Sequence, residues 1–107
     1  MANTFKNVRA ALGTSLADVY EVPSATTAIV IGCHVTNVGA ANGELTLAWT
    51  DDSDSDAVTY LAQEIIVPEV AAYEPVGKLV LEAGDKIRGF ANATATLEIT
   101  VSVLEQS

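Results

Sequence analysis

The sequence predicts an all-β protein: a single-domain β-sandwich, jelly-roll-like, of seven to nine short antiparallel strands. Three observations carry this. Apolar residues recur every second position rather than on a helical stripe. The hydrophobic half of the composition is mostly small or β-branched (50% hydrophobic, only 6% aromatic), a palette that suits thin packed sheets. Gly, Pro, Asn and Asp fall between the alternating runs, where strands must turn. At 107 residues the chain has the size of one domain, spanning 1–107.

The elements follow in order. FKNVRAAL fits either a strand or a turn or two of helix, so residues 1–12 are expected as an N-terminal arm or edge strand. LADVYEV, Leu16 to Val22, reads as a strand stopped by Pro23. TTAIVIGCHVTNV, Thr26 to Val38, alternates throughout: Ile29, Ile31, Cys33 and Val35 share one face, and Val30, Gly32, His34 and Thr36 the other. GAANG, Gly39 to Gly43, has hairpin-turn chemistry. ELTLAWT then alternates, with Leu45, Leu47 and Trp49 expected inward.

Beyond the aspartate run, Ala57 to Val67 resumes strand character, with Val58 and Tyr60 on one face and expected in a packed layer; Pro68 ends the ladder. Glu69 to Gly77 reads as a connection holding at most one short strand. Lys78 to Asp85 is a strand closed by a Gly-Asp turn, Lys86 to Asn92 the next strand, and Thr96 to Glu105 the clearest alternation of all. In that last strand Leu97, Ile99, Val101 and Val103 face in, and Leu104 is out of phase.

Fourteen acids face five bases, for a formal charge of −9. The bases Lys6, Arg9, Lys78, Lys86 and Arg88 form no cluster, which argues against a nucleic-acid partner. No apolar run reaches the ~18 residues of a membrane span, and MANTFKNVRAALGTS shows no secretory-signal pattern. The single cysteine, Cys33, excludes an internal disulfide and fits a reducing compartment. The NAT at Asn92 to Thr94 matches a glycosylation acceptor, which has no meaning without a secretory route.

Candidate sites are few. In WTDDSDSDAVTYL the alternating Asp52, Asp54 and Asp56 are the candidate metal ligands. Read as a calcium loop from Asp52, position 6 is Ala57 instead of Gly and position 12 is Gln63 instead of Glu. The expected reading is therefore a solvated loop between strands, with no cofactor. Cys33 and His34 are neighbours on a strand and face opposite sides, so they form neither a joint metal site nor a nucleophile–base pair. Glu64, Glu69, Glu74, Glu82 and Asp85 lie near turns without an acid–base signature, Ser24 and Ser53 lack a histidine at motif spacing, and AGDK is a turn rather than a phosphate loop. An enzyme is not expected. Ala28, Val30 and Gly32 make the 26–38 strand apolar on both faces, and the last strand has a small-residue outer face with Leu104. Such strands are covered on both sides, by a neighbouring subunit or, for Val30, by a loop. Val30, His34 and Leu104 are thus candidate interaction residues, with Lys6 and Arg9 as a basic anchor on an N-terminal arm.

MANTFKN, VYEVPSATTAIVIGCHVTNV, TYLAQEIIVPE, KLVLEAGDKIRGFANA and LEITVSVLE, in this order, resemble a group of small tailed-bacteriophage virion proteins. The likeness spans nearly the whole chain and consists of turn and strand patterns, not chemical signatures. It implies an all-β structural component of a virion, assembled in the host cytoplasm, working as a homo-oligomer, a trimer for preference, against the major capsid protein or other virion proteins. A capsid decoration or cement protein is the first function it implies. A neck, tail, baseplate or fibre-attachment component is the second. From another class, a calcium- or carbohydrate-binding sandwich remains, weakened because Trp49 is expected in the core.

Overall fold

The structure is a computed structural model and describes residues 2–93 and 96–107. It holds nine strands: β1 (Asn3–Ala11), β2 (Ala17–Glu21), β3 (Thr27–Asn37), β4 (Gly43–Asp51), β5 (Ala57–Val67), β6 (Ala72–Val76), β7 (Leu79–Leu81), β8 (Lys86–Ala91) and β9 (Leu97–Gln106). They form two antiparallel sheets, β1-β9-β3-β6 with β7 also paired to β3, and β2-β8-β4-β5. The chain changes sheet at nearly every connection, and this interleaved order is the double Greek key of a jelly roll. The expected all-β sandwich is what the chain forms.

The core lies between the sheets. Val30, Cys33, Val35, Leu81, Leu97, Ile99, Val101 and Val103 from one layer meet Leu45, Leu47, Val67 and Ile87 from the other. Trp49 packs against this core as expected. The N-terminal segment is the edge strand β1, paired with β9 from Asn3 to Ala11.

Two β-bulges change the predicted phases. In β3 the pairing with β9 steps from Val30↔Val103 to Gly32↔Ser102, leaving Ile31 as an extra residue. A bulge places two residues against one and so reverses the in–out alternation beyond it. Cys33 and Val35 face the core as predicted, but on the other side of the bulge Ala28 and Val30 are the buried residues and Ile31 is exposed. Val30 therefore belongs to the core, not to an outer interaction face. In β5 the ladder shifts against β4 around Leu47, and Glu64 takes a left-handed φ of 52°. Val58 and Tyr60 lie opposite Thr50 and Ala48 on the outer face of the second sheet, 47% and 53% exposed, rather than in the packed layer.

Two predicted turns, the first of them expected as a hairpin turn, are corners between sheets. Gly39 to Gly43 carries the chain from β3 in one sheet to β4 in the other. Its organiser is the buried Asn37, whose Nδ2 donates to the carbonyls of Ala41 and Val67, both at 2.9 Å, while its Oδ1 accepts the Gly39 N–H at 2.8 Å. Gly43 instead packs closely on the core: a Cβ there would stand 3.0 Å from Leu97 Cδ2. The Gly84–Asp85 turn likewise joins β7 to β8 across the sandwich. The connection after Pro68 holds β6, whose Pro75 is tolerated because this strand borders its sheet.

Candidate functional site

The aspartate run joins β4 to β5, the one hairpin-like connection in the second sheet. Asp51 caps a single 3-10 turn, Asp52–Asp54: its Oδ1 accepts from the Ser53 N–H at 3.1 Å and from Ser53 Oγ at 2.6 Å. Ser55 and Asp56 then take left-handed φ values of 55° and 58°, and the Asp56 N–H returns to the Asp51 carbonyl at 2.8 Å. Asn, Asp and Ser hydrogen-bond their own backbone in this way, which is why such residues fill tight loops. Asp52, Asp54 and Asp56 are exposed and do not converge, so the candidate ligand set from the sequence is not assembled.

A different trio does converge. Carboxylate oxygens of Asp51, Glu82 and Asp85 lie within 4.8 Å of one another. Asp85 is buried, and both of its oxygens are already engaged: Oδ1 accepts the Asp52 N–H at 3.0 Å and Oδ2 the Glu82 N–H at 2.8 Å. The carboxylate thus works as a latch between two loops, satisfied by backbone donors. Gly84 completes the latch. Its φ is +86°, and a Cβ would fall 2.7 Å from the Asp52 carboxyl carbon.

Cys33 is buried among apolar side chains, and burial pushes its thiol pKa up to about 12. A thiol held protonated is neither a nucleophile nor a metal ligand at neutral pH. His34 lies on the opposite, outer face, its Nδ1 3.7 Å from Glu74 Oε1. Tyr20 is buried at the β2 side, and its hydroxyl donates to Glu105 Oε2 at 2.5 Å. Burial first, then that hydrogen bond and the Glu105 charge, drive the phenol pKa upward. Lys6 Nζ stands 3.5 Å from the same Glu105 oxygen. Lys6 is therefore tied to its own domain, not extended on a free arm.

Arg9 lies on β1 opposite Thr100 of β9, makes no ion pair among the described residues, and borders a shallow depression shared with Glu98 and Thr100. Leu104 is half-buried on the outer face, in register with Phe5 and Ile29. Of the five interaction candidates, the structure places Arg9, His34 and Leu104 on the outer face of the five-stranded sheet, Lys6 in an ion pair and Val30 in the core. Sequence reasoning missed Asn37 and Tyr20 and took Asp85 only as one of several carboxylates near turns. Each works through a contact at least 30 residues away, Asn37 with Val67, Asp85 with Asp52, and Tyr20 with Glu105, so no local pattern marks them. The acceptor motif at Asn92 includes Thr94, outside the described residues. No helix among the described residues is long and apolar enough to cross a membrane.

No protein-family model and no curated protein sequence matches this chain. Solved structures do. A chain from work titled "Bacillus endospore appendages form a novel family of disulfide-linked pili" superposes with a TM-score of 0.61 at 9% identity, covering 99% of this chain and 87% of that one. One from the acid-stable capsid of Helicobacter pylori bacteriophage KHP30 gives 0.59 at 10% identity, covering 98% and 87%. One from the T13 IBDV viral particle gives 0.57 at 7% identity, covering 96% of this chain and 30% of that one. At these identities the likeness is one of fold.

Proposed function

We propose that this chain is a structural protein of a bacteriophage particle, a decoration or cement protein that binds the outside of the major capsid protein. The observation that carries the reading is the jelly roll itself: it spans the chain, and its likeness to the phage capsid chain covers 98% of it. The described residues add no rival chemistry. In their one carboxylate trio Asp85 and Asp51 already accept from backbone amides, and their one thiol is buried. The reading proposed is a structural role.

Such a protein stabilises a shell by adding buried contacts between capsomers. The gain scales with apolar area at roughly 25 cal/mol per Å² before the cost of association. Homo-oligomers suit this role, and the trimer is the form implied by the resemblance to small tailed-phage virion proteins. Disulfide linkage between copies is not part of the reading, because Cys33 is enclosed in the core. The negative charge keeps the exposed surface soluble and disfavours DNA as the partner.

The test is quantification of the chain in purified particles. A copy number comparable with that of the major capsid protein supports decoration. A dozen copies or fewer assigns the chain to the neck, tail or baseplate, and its absence from particles removes the virion reading.

A further inference from the structure

The ladders order the outer face of the five-stranded sheet row by row. Phe5, Leu104, Ile29 and Val80 stand side by side across β1, β9, β3 and β7. Phe5 is 74% and Val80 63% exposed, and the bulged Ile31 adds to this strip. The next row is Asn7, Ser102 and Gly32. The third is Arg9, Thr100 and His34, extended onto β6 by Glu74 beside His34. The fourth is Ala11, Glu98, Thr36 and Ala72. On a chain of charge −9, these rows carry one arginine and two glutamates. A contiguous apolar strip on a face so poor in charge marks a contact surface.

We propose that this face pairs with the same face of a second copy, about a two-fold axis that runs parallel to the strands between β9 and β3. Rotation about that axis exchanges β1 with β6 and β7, and β9 with β3, while each row keeps its height. Phe5 then meets the second copy's Val80, and Leu104 meets its Ile29. Ser102 faces Gly32, where the missing side chain admits close approach. Arg9, at one edge, meets Glu74 from the other edge, and Glu98 meets Thr36, so no like charges are opposed. An axis along the rows through the Asn7–Ser102–Gly32 row would instead lay the apolar strip on the Arg9–Glu74 row and desolvate charge without a partner, and one through the strip itself would leave the other rows uncovered. About the strand-parallel axis all four rows are matched at once, the self-complementarity an isologous dimer requires. Two sheets so stacked would lie about 10 Å apart with their strands near 30°. The pairing goes beyond the virion reading and does not depend on it, and a trimer would use other surfaces.

Sedimentation velocity over a concentration series tests it. The wild type forms a dimer, and Phe5→Asp and Val80→Asp, both on exposed positions, stay folded by circular dichroism, yield monomer and lose the concentration dependence of melting that the wild type shows. Arg9→Glu and Glu74→Arg each weaken the dimer about tenfold or more, and the two together restore it to within about threefold. Within one copy Arg9 and Glu74 are three strand spacings apart, about 14 Å, so rescue arises only between copies. A wild type that stays monomeric, an oligomer indifferent to Phe5→Asp, or single reversals without rescue in the double variant overturns the proposal.

Discussion

The carboxylate of Asp85 accepts the backbone N–H of Asp52 at 3.0 Å, across 33 positions of sequence. Its other oxygen accepts the Glu82 N–H, so one buried side chain fixes the aspartate loop to the β7–β8 turn. The conspicuous acidic run is held from outside itself, by an acid that does not belong to it.

Asp85→Ala leaves two amides without partners and is expected to lower stability by about 2–4 kcal/mol. Gly84→Ala forces a side chain onto Asp52 at a left-handed φ and is expected to cost more than about 1 kcal/mol. Asp54→Asn and Asp56→Asn, on the exposed tip, should stay within about 0.5 kcal/mol of wild type. Urea unfolding at neutral pH checks all four.

Alkaline pH should weaken the fold through Cys33 and Tyr20. Both hold their protons more tightly folded than unfolded. Stability is therefore fully present below the ordinary thiol and phenol values, about 8.5 and about 10. Above each value the unfolded chain ionises first, and stability falls by about 1.4 kcal/mol per pH unit per group until the folded group ionises too. Tyr20→Phe should remove the portion above about pH 10 and keep the portion due to Cys33. Equilibrium unfolding at a series of pH values reads this directly, and identical slopes for the variant and wild type would refute it.

Asn37→Ala strips a buried corner of three hydrogen bonds and is expected to cost about 2–3 kcal/mol. Asn37→Asp keeps the acceptor for Gly39 but loses both donors to carbonyls, so it should be no better than Ala. Chemical denaturation of the two variants ranks them.

Most strands were legible because one face of each is buried, which imposes alternation on residues such as Leu97, Ile99, Val101 and Val103. What alternation cannot reveal is an inserted residue. Ile31 looks like any other member of its strand, yet its bulge sends Val30 inward and makes Ile31 exposed. The same blindness put Tyr60 in a packed layer. Nor does turn chemistry say whether a chain folds back within a sheet or crosses to the other, so the corners at Asn37 and Asp85 read as local turns. The interaction candidates were legible in part: Leu104 betrayed itself by being out of phase, whereas Phe5 and Val80 join it only through the ladders.

Calcium titration addresses the aspartate loop. With Asp85 and Asp51 engaged by internal donors and Asp52, Asp54 and Asp56 dispersed, millimolar calcium is expected to leave the melting temperature unchanged. A calcium-dependent rise that is abolished by Asp51→Asn would show that the loop rearranges to bind a cation.

Reinforcement of a capsid from outside is the function proposed for this chain. Particles assembled without it, heated with and without the purified protein added back, test this most directly through the temperature at which DNA is released. Without the protein, intact particles are expected to release DNA at a lower temperature, with the wild-type value restored by add-back. Release at an unchanged temperature, or a failure to attach tails in place of a weakened shell, would contradict it.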